Sequence, residues 1–196
     1  RPGPTPGLGR LLPLGDFRGF GVLESRERLS RLARASAWQA RASGDLFREH
    51  EVTQAGRFKL EHGPHSIYLR LDGEHPVRQD VPAPSRRRGV GAPRVLHIVL
   101  DPAHVNARYY VRWLNDSEIG QTTLSASRLG TVVGRVDPGL FLTTPQYLPD
   151  IESQGRILAT LDRLDALRSS ALEIETTLLS GPSDLDAAVE RVEHLN

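Results

Sequence analysis

The sequence predicts a mixed α/β (α+β) body followed by a long coiled-coil-type helix, and three observations carry that prediction. Residues 24–42 place apolar side chains at helical spacing; residues 66–71 and 95–100 have the alternating and all-apolar patterns of strands; from Ile157 to Leu178 apolar residues recur every three or four positions. A length of 196 residues is long for one compact domain and short for two, so one core with an appendage is expected. The boundaries fall at 1–148 for the body, 149–180 for the long helix and 181–196 for a short terminal helix. With 38% apolar and 25% charged residues the composition is that of a globular chain. No apolar run approaches the roughly 18 residues that span a bilayer.

The opening RPGPTPGLGR alternates Pro and Gly and reads as a linker or arm. From Glu24 to about Ala42, Leu29, Leu32, Ala33, Ala37 and Ala40 fall near one face of an amphipathic helix, anchored by Trp38. Short segments follow at 46–52, 57–62 and 66–71. In SIYLRL, Ile67, Leu69 and Leu71 alternate with Ser66, Tyr68 and Arg70, the period of a half-buried strand. Residues 81–93, with prolines and glycines around Arg86, Arg87 and Arg88, read as an exposed loop, and VLHIVL at 95–100 as a central strand. Asp101-Pro102 reads as a cap and first turn opening a helix over 103–115. Ser117 opens another, closed by Gly130, and TVVGRV and GLFLTT read as two further strands. A helix over 149–179 comes next. Its seam is Ile157, Thr160, Leu164, Leu167, Ala171, Ile174 and Leu178, about three heptads. SGPS at 180–183 breaks it, and Asp184 caps a last helix whose Leu185, Val189, Val192 and Leu195 share a face.

Charge divides the chain. Up to Leu148 there are 21 Lys and Arg against 14 Asp and Glu, a net of +7; from Pro149 the count is 4 against 10, a net of −6. A basic body suits a polyanion, and an acidic helical end suits a protein partner. Cysteine is absent, which removes disulfides, thiolate metal sites and cysteine nucleophiles, and a cytoplasmic location is expected. Methionine is absent too, so the chain is expected to be a domain cut from a longer one.

From Tyr109 to Leu167 the residues follow a recognisable order: Tyr110, Leu114-Asn115, Asp116-Ser117, Ile119-Gly120-Gln121, Gly130, then Leu148-Pro149-Asp150-Ile151-Glu152-Ser153-Gln154, Ile157-Leu158 and Leu161-Asp162. This stretch resembles the target-recognition domain of the specificity subunits of type I restriction-modification systems, with the junction into their spacer helix. The resemblance implies a non-catalytic host-defence module that reads one half of a bipartite double-stranded DNA sequence. It would present that DNA to a DNA methyltransferase subunit, which would carry S-adenosylmethionine and methylate adenine; this chain would bind no cofactor. Full specificity subunits carry two recognition domains and two spacer helices, and this chain has room for one of each. It is therefore expected to be a half-subunit, a fragment, or a recognition domain appended to an adenine methyltransferase.

Candidate DNA-binding residues are Arg78, Arg86, Arg87, Arg88 and Arg94, whose guanidinium groups suit phosphates. The partner-helix seam, for another subunit or a second copy, is assigned to Ile157, Leu164, Leu167, Ile174 and Leu178. Phe17-Arg18-Gly19-Phe20-Gly21 fits the Phe-x-Gly-x-Gly cofactor loop of adenine methyltransferases, but no buried strand precedes it and no Asn-Pro-Pro-Tyr motif follows, so it reads as a glycine-rich turn. His50, His62, His65, His75, His97 and His104 lack metal-site spacing; no metal is expected, and His97 reads as a core histidine. No nucleophile elbow or phosphate-binding loop is present, so no catalytic residue is assigned.

Overall fold

The computed structural model describes residues 20–36, 38–73, 76–83, 92–129 and 135–180. The opening arm, the Arg86-Arg87-Arg88 run, Gly130, residues 131–134 of the strand expected at 131–136 and the helix expected at Asp184 lie outside the described residues. In chain order the elements are α1 (Phe20–Ser36), β1 (Gln39–Arg41), α2 (Ser43–Leu46), β2 (Phe47–Gln54), β3 (Ser66–Arg70), β4 (Arg94–Leu100), α3 (Ala107–Asp116), α4 (Glu118–Ala126), β5 (Arg128–Leu129), β6 (Arg135–Val136), α5 (Pro138–Thr143), β7 (Gln146–Leu148) and α6 (Ile151–Ser180). The chain divides into two units, one ending at Ile151 and the other beginning at Glu152. No described helix is long and apolar enough to cross a membrane.

The first unit mixes helix and sheet. VLHIVL does form a central strand: β4 runs antiparallel to both β2 and β3 in the order β2-β4-β3. Its register sets His97 against Glu51 on one side and Tyr68 on the other. Side chains alternate along a strand, so Glu51, Tyr68, Arg70, Val95 and His97 share one face and Ile67, Leu69, Leu96, Ile98 and Leu100 the other. The second face carries the main core, with Ile67, Leu96, Ile98 and Leu100 all fully buried. The first face is covered as well, by Ala55 and Phe58 packed on Tyr68 and Val95. The half-buried strand expected at 66–71 is therefore corrected, since Ser66 to Leu69 are buried on both faces. Alternation treats a hydroxyl as solvent-facing, whereas here the Tyr68 hydroxyl meets His62 and the Ser66 hydroxyl meets His97.

The helices show what local signals decide. α1 begins at Phe20, so Phe20 and Gly21 are helical and not part of a turn, and it buries Val22, Leu29 and Ala33. It stops at Ser36, six residues before the expected end. The Ser36 hydroxyl donates to the Ala33 carbonyl and accepts from the Trp38 N–H, and residues 39–41 leave to pair with β7. Asp101-Pro102 does not open a helix: the Asp101 carboxylate accepts from the Ala103 N–H within a turn, and α3 starts only at Ala107, capped by Asn106. GLFLTT, expected as a strand, is the helix α5; Asp137 caps it and Pro138 stands in its first turn. Ser117 caps α4 as expected, but α4 ends at Ala126, short of Gly130, because β5 pairs with β6. Helices α1 and α3 both pack on α4. Phe47 stacks on Phe141 at 6.3 Å and meets Tyr110 edge-on at 6.1 Å, joining the sheet to α3 and α5.

In the second unit α6 spans 30 residues, about 45 Å at 1.5 Å per residue, within two residues of the predicted span at each end. Of the proposed seam, Ile157 and Ile174 are half-buried, whereas Leu164 and Leu167 are 54% and 52% exposed. The Leu178 side chain lies outside the described part.

Candidate functional site

Of the arginines singled out for DNA, Arg78 and Arg94 are described and both are exposed. Arg78 forms an antiparallel bridge to Tyr68, its N–H donating to the Tyr68 carbonyl at 3.1 Å and its carbonyl accepting at 2.7 Å. Bridged residues share a face, so Arg78 belongs with Tyr68 and His97. Arg94, three residues before His97, belongs to the opposite face. The structure thus separates these two cations. It sets Arg78 instead beside Arg70, which the sequence marks only as the polar partner in an alternation.

The Tyr68 face also holds a buried polar chain. His97 is fully buried; its Nδ1 lies 3.3 Å from the Glu51 carboxylate and its Nε2 3.1 Å from the Ser66 hydroxyl. A carboxylate accepts only, so in the neutral ring Nδ1–H donates to Glu51 and Nε2 accepts from Ser66. The Glu51 carboxylate also accepts from the N–H groups of Lys59 (2.9 Å) and Leu60 (3.0 Å), and the Ser66 hydroxyl accepts from Gly63 N–H at 3.1 Å. Serine, histidine and glutamate stand here in the order of a nucleophilic triad. Ser66, however, is 1% exposed, and the chain it belongs to pins residues 57–63 onto the sheet. That is a structural strut. Among the described residues, no three metal-ligating side chains come together.

The strut makes stability depend on pH. Burial pushes the His97 imidazole below its ordinary 6.5, against the opposing pull of Glu51. The unfolded chain therefore takes up this proton first, so the stabilisation is complete above about 6.5 and declines as pH falls toward the lowered value. Glu51 is pushed up by burial, but the N–H groups of Leu60 and Lys59, with His97, hold it below 4.5. Its contribution is present above 4.5 and lost as pH falls through its lowered value. The expected result is a melting temperature that falls in two stages between pH 7 and pH 3, with His97→Gln removing the upper stage and shrinking the lower one, to which His97 contributes. A wild-type profile flat from pH 7 to 5 would contradict it.

The residues that carry the motif order of the second half meet around a groove of about 560 Å³ lined by Pro76, Leu114, Asn115, Gln121, Ser125 and Arg128, among others. Asn115 holds the backbone of Val77 from both sides, accepting from its N–H at 2.8 Å and donating to its carbonyl at 2.9 Å. Gln121 donates to the Asn115 carbonyl at 2.7 Å, and Ser117 caps α4 by accepting from Gly120 N–H at 2.9 Å. A Cβ on Gly120 would lie 1.9 Å from the Trp113 carbonyl oxygen, so only glycine lets α4 approach α3 this closely. The motif is therefore an arrangement of caps and close packing whose polar ends border the groove.

Compared with known families and with curated proteins, the chain matches no family model and no curated sequence.

Proposed function

We propose that the chain is a non-catalytic DNA-recognition module that directs a separate adenine methyltransferase to its site. The observation that carries this reading is the motif helix pair. Residues Tyr110 to Gln121 resemble a target-recognition domain in order, and they are mutually dependent in space through Asn115, Ser117, Gly120 and Gln121. The +7 balance of residues 1–148 supports a polyanionic partner. In this reading S-adenosylmethionine belongs to the methyltransferase. The alternative, the recognition domain of a single-chain adenine methyltransferase, differs only in where the catalytic domain is encoded. A coiled-coil adaptor without a DNA role is the third reading.

The test is retention of duplex DNA as a function of salt. Binding is expected to be steeply salt-dependent, and replacing Arg86, Arg87 and Arg88 by Ala should weaken it for all sequences alike. Each phosphate that is no longer neutralised flattens the log–log slope by about 0.9. Salt-independent binding, or none at low salt, would reject the reading. Saturable S-adenosylmethionine binding by this chain would favour an enzyme.

The exposure of Leu164 and Leu167 supports a partner helix on α6, in another subunit or a second copy, because two adjacent seam leucines in water forgo burial worth about 1.5–3 kcal/mol each. Sedimentation at tens of micromolar is expected to show self-association that Leu164→Glu with Leu167→Glu abolishes. If the wild type stays monomeric, the seam awaits a different chain.

A further inference from the structure

On the Tyr68 face, at the edge of β3, lies a second cavity of about 280 Å³. Two arginines line it. Arg78 reaches it through its bridge to Tyr68, and Arg70 follows Tyr68 by two residues on the same face, so the two are diagonal neighbours across that bridge. Diagonal positions of this kind stand about 7–8 Å apart, a span that two long guanidinium side chains close around one small anion. Tyr68, Pro76, Pro82, Ala83 and Pro93 supply the remaining wall, and the three prolines, lacking N–H groups, offer no donor of their own.

Arg70 is half-buried, and its Nε is shielded from water with no acceptor among the described residues. The enclosed Nε is out of reach of an outside ligand, so Arg70 offers the cavity it lines the terminal N–H groups of its guanidinium. Asp72, next but one in the chain, is engaged elsewhere: one oxygen lies 3.5 Å from Arg135 Nε and the other accepts from the Arg94 N–H. The cavity has positive donors, apolar walls and no carboxylate among its lining residues. Its complement is a compact oxyanion with several acceptor oxygens, as guanidinium forks prefer.

We propose that the Arg70–Arg78 cavity seats one backbone phosphate of a DNA duplex, an assignment that rests on the DNA-binding reading above. Arg70 holds the phosphate from the cavity wall through the terminal N–H groups of its guanidinium, and Arg78 closes over it from the exposed side. Such an interaction carries no base information and sets the register of the module on the duplex.

The experiment measures binding of the full chain to a 20-base-pair duplex by fluorescence anisotropy across a salt series, for wild type, Arg70→Gln, Arg78→Ala, the double variant and Arg70→Lys. Each single variant is expected to flatten the slope by about 0.9, the equivalent of one phosphate. The double variant should flatten it by the same single increment, because both arginines serve one phosphate. Arg70→Lys should keep the slope, since the charge stays, and still bind more weakly, since the planar guanidinium fork is gone. Arg78 is exposed, so its variant reports even if Arg70→Gln perturbs folding. Wild-type binding with unchanged slopes in both single variants overturns the cavity assignment and leaves the DNA reading standing. No duplex binding by wild type overturns that reading, and this assignment with it. A titration with inorganic phosphate alone separates a free-anion pocket: saturable phosphate binding that Arg70→Gln abolishes, with duplex binding unchanged, also overturns the duplex assignment.

Discussion

Gly120→Ala is expected to be the most damaging small substitution in the body, costing about 3 kcal/mol or more. The added methyl would sit 1.9 Å from the Trp113 carbonyl oxygen, 2.6 Å from its carbon and 2.8 Å from the Leu114 Cα, all backbone atoms of α3 that no rotamer change can move aside. Relief requires α4 to withdraw from α3, and α1, which packs on α4, must then follow. Ser117 would lose its cap on the Gly120 N–H as the joint opens. Urea unfolding is the direct measurement. A loss below about 1 kcal/mol would mean that α4 tilts without cost and that the close approach is incidental.

Tyr110→Ala is expected to cost about 3–5 kcal/mol, as removal of a fully enclosed aromatic ring does elsewhere. The ring is fully buried, meets Phe47 edge-on and stacks near Trp113 at 5.5 Å, so its loss leaves a void between α3, β2 and β7. Its hydroxyl donates to Gln146 at 3.0 Å, and Gln146, itself fully buried, donates in turn to the Thr144 carbonyl. Tyr110→Phe keeps the ring and strands the Gln146 oxygen, which should cost about 1–3 kcal/mol. Burial also pushes the Tyr110 phenol well above its usual range, so it stays protonated as a donor at neutral pH. Equal losses for the Ala and Phe variants would move the energy from ring packing to the hydrogen bond.

What can be seen in the sequence is what a single segment decides for itself. The long helix, the central strand and the Ser117 cap all declare themselves within a few residues. The two Asp-Pro pairs show where that logic stops. Asp101-Pro102 and Asp137-Pro138 carry the same local signal; the first makes a turn, and the second opens a helix. Strand Gln146–Leu148 is invisible because three residues show no period, and spacing alone absorbs its partner Gln39–Arg41 into a helix. The candidate site divides the same way. Arg78 stands out by composition, but Arg70 becomes relevant only through the Tyr68–Arg78 bridge, a pairing no local pattern encodes.

The short ladder between Gln39–Arg41 and Gln146–Leu148 joins positions more than 100 residues apart with three residue pairs. Closing so long a loop in an unstructured chain costs about 4 kcal/mol of entropy, more than a ladder of this length returns. The sheet and helices between the two segments must therefore shorten the path first. That makes the ladder a late clasp in folding and less protected than the three-stranded sheet, so its amides should exchange with solvent before those of β4.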